Sequence, residues 1–200
     1  MRRLPPDERR TQLLHLAIVE FGSKGYDGAS LESIARGAGV RKQTLLYYFP
    51  SKEDLFNACI AELADAFRQA LEEGLAGPEE GWERIEIVIR AVFRLAEERP
   101  ELMPLAREAA RHSPEAVHQI AGELEALRKR ALRFLERGMD EGVFRSQDPG
   151  LLLFTLYTAV VGSITEAGVL RAVAGRRGGR KALRLREEEL IQFVRRALES

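Results

Sequence analysis

Ser30-Leu31-Glu32-Ser33-Ile34-Ala35-Arg36-Gly37-Ala38-Gly39-Val40-Arg41-Lys42-Gln43-Thr44-Leu45-Leu46-Tyr47-Tyr48-Phe49 reads as a helix, a glycine turn and a second short helix. Ser30 is placed to cap the first helix, whose inward face is Leu31, Ile34 and Ala35. Gly39 supplies the positive φ that lets the chain reverse within a few residues. Val40, Leu45 and Phe49 then face inward. Beside them lie Arg41, Lys42, Gln43, Thr44, Tyr47 and Tyr48, a mixture of cations, amide, hydroxyl and phenols that can bond both phosphates and base edges. Two short helices with such a face read as a helix-turn-helix for duplex DNA.

The flanking sequence supports that unit on both sides. Asp7, after Pro5-Pro6, is expected to cap a helix running to about residue 24, with Leu13, Leu14, Ala17, Ile18 and Phe21 recurring at helical spacing. Downstream, Ser51 is expected to cap the next helix with Asp54 at the reciprocal third position. That helix should reach about residue 75 and bury Leu55, Phe56, Cys59, Leu63, Ala66, Phe67 and Leu71. Lys52 stands beside its start, where it can clamp a phosphate. Arg2 and Arg3 could enter a minor groove as an arm.

Beyond Gly77-Pro78 the helical period continues. One helix carries Trp82, Ile85, Ile89, Val92 and Phe93; shorter ones are expected over 102–112 and 114–138. Asp148 as cap and Pro149 at the first helical position open a long helix to about residue 173. Residues 151–161 are apolar almost all round, so this helix must be covered on more than one side. A glycine-rich break at Gly175, Gly178 and Gly179 precedes a last helix with Leu190, Ile191, Val194 and Leu198. No strand pattern appears. The expected fold is all-α, with nine or ten helices: an amino-terminal three-helix DNA-binding domain over 1–50 and a larger helical domain over 51–200.

The chain's 200 residues, 45% of them hydrophobic, can bury a substantial core, which argues against disorder. Its net charge of zero hides a segregated distribution. Residues 1–55 hold 9 Lys and Arg against 7 Asp and Glu, residues 56–170 hold 13 against 20, and residues 171–186 hold 7 against none. Any affinity for nucleic acid must therefore come from a small presented surface. Cys59 is the only cysteine, so neither an intramolecular disulfide nor a thiolate zinc site can form, and the compartment is expected to be reducing and cytoplasmic. The charged start, interrupted by Pro5-Pro6, does not read as a secretion signal. Residues 150–170 approach the roughly 20 apolar residues that a membrane span requires, but Thr155, Thr158, Ser163 and Glu166 favour a buried helix, so no membrane partner is expected.

The run over 9–55 resembles the amino-terminal domain of TetR (tetracycline repressor) family regulators. The matching residues are the apolar set of the leading helix, Gly25, Ile34-Ala35, Gly39-Val40, Thr44-Leu45, Tyr48-Phe49 and Ser51-Lys52-Glu53. Gln43 stands where the family often has a small residue, and it can pair with adenine N6 and N7. Leu46 stands where the family usually has a tyrosine, often a phosphate contact; Tyr47 and Tyr48 are the adjacent substitutes. The remaining chain is similar to the family's ligand-binding domain in length and helical character. The resemblance implies a DNA-binding regulator whose effector enters a cavity between carboxy-terminal helices. Candidate lining residues are Phe67, Leu71, Phe93, Met103, Phe134, Met139 and Tyr157, which suit an apolar or aromatic effector.

The two-sided apolarity of the helix over 149–173 suggests a homodimer built on it and the last helix, which would present two reading heads to an inverted-repeat operator. Repression and activation both fit. Arg171, Arg176, Arg177, Arg180, Lys181, Arg184 and Arg186 form the densest basic cluster. It reads either as a solvated connector or as a cradle for the phosphates of a ligand such as an acyl coenzyme A. No phosphate loop, nucleophile elbow or histidine pair at ligand spacing occurs, so no catalytic residue, metal or cofactor is expected. His112 and His118 are expected at the surface, and Cys59 in packing. The alternative is a helical small-molecule-binding protein or enzyme with a vestigial DNA-binding domain.

Overall fold

The computed structural model describes residues 5–77, 80–112, 114–175 and 179–199, apart from the side chain of Ala167. These residues form eleven helices and no strand: α1 Pro6–Gly28, α2 Leu31–Gly37, α3 Lys42–Tyr48, α4 Lys52–Gly74, α5 Gly81–Glu98, α6 Leu102–His112, α7 Pro114–Glu123, α8 Glu125–Asp140, α9 Pro149–Thr165, α10 Ala167–Ala174 and α11 Arg180–Leu198. The all-α expectation holds, with more helices than periodicity shows. The segment expected over 114–138 breaks at Leu124, and the long helix from Pro149 breaks at Glu166, where the backbone leaves the helical region at a single residue. Neither residue is a breaker by type. Among the described residues no single helix is long and apolar enough to cross a membrane, and the axes of the segments on either side of the Glu166 break meet at 89°.

The helix ends largely follow their local chemistry. The Ser33 amide donates to Ser30 Oγ at 3.3 Å, and the Leu151 amide to Asp148 Oδ1 at 2.7 Å, so both caps form as expected. Ser51 also caps, accepting from the Asp54 amide at 2.9 Å. However, the Asp54 carboxylate accepts from the Ser51 hydroxyl at 2.7 Å rather than from the Ser51 amide. Asp7 does not cap α1: Pro5 takes that position and Pro6 the first helical one, where a missing N–H and a fixed φ cost nothing. Nor does α1 end at residue 24, because it continues to Gly28 across a kink at Gly25, where φ is 73°.

The chain divides into two compact units, Met1–Asp65 with Pro100–Gly122, and Ala66–Arg99 with Glu123–Ser200. This differs from the division at residue 50 suggested by the motif, because α6 packs along α1 and joins the first unit. In that unit Leu13, Ile18 and Phe21 of α1, Leu55, Ile60 and Leu63 of α4, and Leu102 and Leu105 of α6 are fully buried. In the second unit Trp82, Ile89 and Phe93 of α5, Leu135 of α8, Leu152 and Ile164 of α9, and Leu190, Val194 and Leu198 of α11 are buried, together with Phe144. Ion pairs bind α5 to α11: Arg90 meets Glu187 at 3.1 Å and Glu188 at 2.8 Å, and Arg184 meets Glu97 at 3.0 Å.

Candidate nucleic-acid interface

The reading pair is held from behind. Ile34 and Ala35 of α2 and Leu45 of α3 are buried, as is Phe49. Gly39 has φ 67°, and the turn closes with Gly39 N donating to Arg36 O at 3.0 Å and Val40 N to Ala35 O at 2.9 Å. From α1, Arg9 donates to the Ala38 carbonyl at 3.0 Å, and the Arg10 guanidinium lies 5.0 Å from the Phe49 ring centre. A residue with a Cβ at Gly39 would be strained, so the tight reversal and the sequence agree.

On this support Arg41, Lys42, Gln43 and Tyr47 are exposed, while Thr44 and Tyr48 are half-buried. Tyr47 is 82% exposed, an unusual state for a large aromatic side chain unless something else covers it. Its ring meets Tyr48 edge-on at 5.3 Å. Leu46 is half-buried and contributes no polar atom. Lys42 is ion-paired to Glu32 of α2, and this ammonium, with the Ser30 hydroxyl, holds the Glu32 carboxyl below its usual range. Meeting a phosphate therefore requires Lys42 to leave or share that carboxylate.

Lys52 is already engaged. Its ammonium sits 4.7 Å from the centre of the Tyr26 ring and donates to the Asp27 carbonyl at 3.3 Å. Tyr26 is the hub of an aromatic cluster: Phe21 lies at 5.8 Å, Phe56 at 5.0 Å, and the His112 ring is stacked at 4.1 Å with 23° between planes. His112 is thus half-buried in packing rather than a surface residue, because α6 lies against α1; His118 is exposed as expected. The Tyr26 amide donates to Glu108 Oε1 at 2.7 Å, and Arg111 closes on the same carboxylate at 2.9 Å. Burial raises the Glu108 pKa, but the Tyr26 amide and Arg111 outweigh it and hold the carboxyl below the ordinary range. Neither Tyr26 nor Glu108 stands out in sequence. A glycine before an aromatic residue at the end of a helix was the one available signal. Cys59 is fully buried and its thiol is pushed up by desolvation, which fits packing.

The seven candidate effector residues are spread over α4, α5, α6, α8 and α9. Phe67 and Leu71 on α4 and Phe134 and Met139 on α8 are half-buried, Phe93 is buried, and Tyr157 is exposed on α9. Met103 lies on α6, in the other unit. Two concavities in the second unit are a 650 Å³ groove between α9, α10 and α11 and a 330 Å³ charged cleft between α5 and α11; of the seven, Phe93 alone lines either, in the cleft. In the basic cluster Arg184 is paired with Glu97, and Arg186 donates to the Ser163 carbonyl. Arg171, Arg180 and Lys181 are exposed; Arg176 and Arg177, like Arg2 and Arg3, lie outside the described residues.

Residues 13–59 match bacterial regulatory proteins of the tetR family, and residues 78–165 match the tetracyclin repressor-like carboxy-terminal domain. The HTH-type transcriptional regulator RutR of Escherichia coli K12 is 28% identical over 175 residues, 84% of this chain and 79% of that protein. The ketosteroid transcriptional regulator KstR2 of Mycobacterium tuberculosis superposes with a TM-score of 0.78 at 22% identity, covering 96% of this chain and 95% of that one. The transcriptional regulator FadR of Bacillus subtilis, solved with stearoyl-CoA, superposes at 0.74 with 19% identity, covering 94% and 98%. At such identities the superpositions establish the fold.

Proposed function

This chain belongs to the TetR family of DNA-binding transcriptional regulators, and from that premise we propose a homodimeric cytoplasmic repressor, released from an inverted-repeat operator by an apolar small molecule. In this reading Lys42, Gln43 and Thr44 meet base edges, while Tyr47, Tyr48 and Lys52 hold phosphates, with Arg41 beside them at the start of α3. The observation that carries it is the exposed polar and aromatic face of α3, set on a buried anchor of Leu45 and Phe49. Dimerisation through α9 and α11 places two such faces about 34 to 36 Å apart, one turn of duplex, or somewhat more. The protein acts by binding alone and performs no catalysis.

Release follows if the effector prefers a state in which the two reading heads no longer match successive grooves. A tenfold loss of operator affinity needs a preference of only about 1.4 kcal/mol. An acyl-CoA is the effector to test first, since the similarly folded FadR was solved with stearoyl-CoA and this chain carries exposed Arg171, Arg180 and Lys181 near its groove-forming helices.

Two measurements test the reading. Gln43→Ala is expected to cost about 1 to 3 kcal/mol at one base position, whereas Lys52→Ala weakens all duplexes alike. A footprint indifferent to both substitutions removes the interface assignment. In thermal shifts, fatty acyl-CoA thioesters should stabilise the protein more than free fatty acids do, in proportion to the logarithm of ligand over Kd. Equal shifts remove the phosphate role of the basic residues.

A further inference from the structure

We propose that Tyr26 is the positioning residue for the Lys52 phosphate contact, and that α6 governs this contact through Glu108 and His112. Both groups that hold the Lys52 ammonium belong to one dipeptide: the ring of Tyr26, at 4.7 Å, and the carbonyl of Asp27, at 3.3 Å. That dipeptide follows Gly25, whose φ of 73° turns the chain out of the regular helix. Gly25 leaves the helical region, and the Tyr26 amide that follows it reaches Glu108 on α6 at 2.7 Å. One turn further along α6, His112 stacks on the Tyr26 ring at 4.1 Å. Residues four apart lie on one helix face, so a single face of α6 grips both the backbone and the ring of Tyr26.

An ammonium has three donors, and these two contacts leave one to meet a phosphate. A lysine already held in one geometry loses less side-chain freedom on binding than a free one, which is how the ring strengthens the contact. Burial pushes the Tyr26 phenol pKa up, so the ring stays neutral at pH 7. Movement of α6 withdraws the stack and the backbone anchor together and loosens Lys52 within a single protomer, whatever the spacing between the two reading heads. This lever acts in addition to head separation.

The inference rests on Lys52 as a phosphate contact, and the test separates the two. The probe is a duplex selected from randomised sequence by the wild-type protein, with affinity followed over about 50 to 200 mM salt. Lys52→Ala should flatten the slope of log affinity against log salt by about 0.9 per bound protomer. Tyr26→Leu and His112→Ala should weaken binding about two- to fivefold and flatten the slope, and neither should add to the loss already caused by Lys52→Ala. Tyr26→Phe and His112→Phe, which keep the rings, should retain the wild-type slope. A Tyr26→Leu or His112→Ala loss that leaves the slope unchanged, or that adds to Lys52→Ala, overturns the relay while leaving the phosphate contact standing. A Lys52→Ala slope equal to wild type overturns the contact itself and the relay with it. Should Tyr26→Leu fail to fold, the His112→Ala and His112→Phe pair decides alone.

Discussion

Glu108 is the only buried charged side chain among the described residues, at 7% exposed, and its energetics turn on which partner matters. Arg111 is 72% exposed, so its attraction is screened by water and contributes little. The Tyr26 amide, which donates to the carboxylate at 2.7 Å just past the kink, decides the balance. Because the folded carboxyl is held below the unfolded value, the stabilisation is fully present above about pH 4.5 and is lost as pH falls through the folded pKa. Glu108→Gln gives the Tyr26 amide a neutral acceptor in place of a charged one and is expected to cost about 1 kcal/mol at pH 7. The gap to wild type should narrow below pH 4.5 in urea titrations. Parallel pH profiles for the two proteins would remove this role. Glu108 was invisible in sequence because it is one of many carboxylates in the acidic middle and its partner lies 82 positions away. Gln43 and Tyr47 were legible for the opposite reason: their exposure follows from the local period that buries Leu45 and Phe49.

At the scale of elements, local signals fixed the helix starts at Leu31, Lys52 and Pro149, where a side-chain oxygen meets a first-turn amide within three residues. The breaks at Leu124 and Glu166 were not legible, since neither residue is a helix breaker by type and each departs from the helical region at a single position. The end of α8 shows a tertiary demand that no local pattern carries. Gly138 faces the ring of buried Phe144, and the ring is held in place: the Val143 and Phe144 amides both donate to the Gly138 carbonyl, at 2.8 and 3.0 Å, and Arg145 N donates to Leu198 O at 3.0 Å. Phe134 flanks the same ring at 5.8 Å. Gly138→Ala gains about 1 kcal/mol of helix propensity but drives a Cβ into that ring. Overpacking of about 1 to 3 kcal/mol should win, giving a net loss of stability in denaturant titrations. A stabilised Gly138→Ala would mean that Phe144 can move aside freely.

The whole molecule is organised by how its chain runs between the units. It crosses at Asp65/Ala66, Arg99/Pro100 and Gly122/Glu123, so the covalent links between the units lie within α4 and at the two ends of the α6–α7 segment. The second unit also leaves an apolar stripe uncovered. Leu151, Phe154 and Tyr157 recur every three residues along α9 and are exposed, Phe154 at 63%, and Phe193 on α11 is 68% exposed. The sequence already required α9 to be covered on more than one side, and within one chain only the side bearing Leu152, Val160 and Ile164 is covered. Contiguous large apolar side chains of this kind mark an interface, and a twofold pairing would bury the stripe against its own copy. If this stripe is the pairing surface, Phe154→Glu should yield a folded monomer, because Phe154 lies outside its own chain's core. Sedimentation should show half the mass, thermal melts should remain cooperative, and operator affinity should fall on the order of 100-fold as two linked half-site contacts become one. A Phe154→Glu protein that remains dimeric and retains full affinity would mean that the reading heads are paired through some other surface, and the spacing argument for effector release would have to be rebuilt on that one.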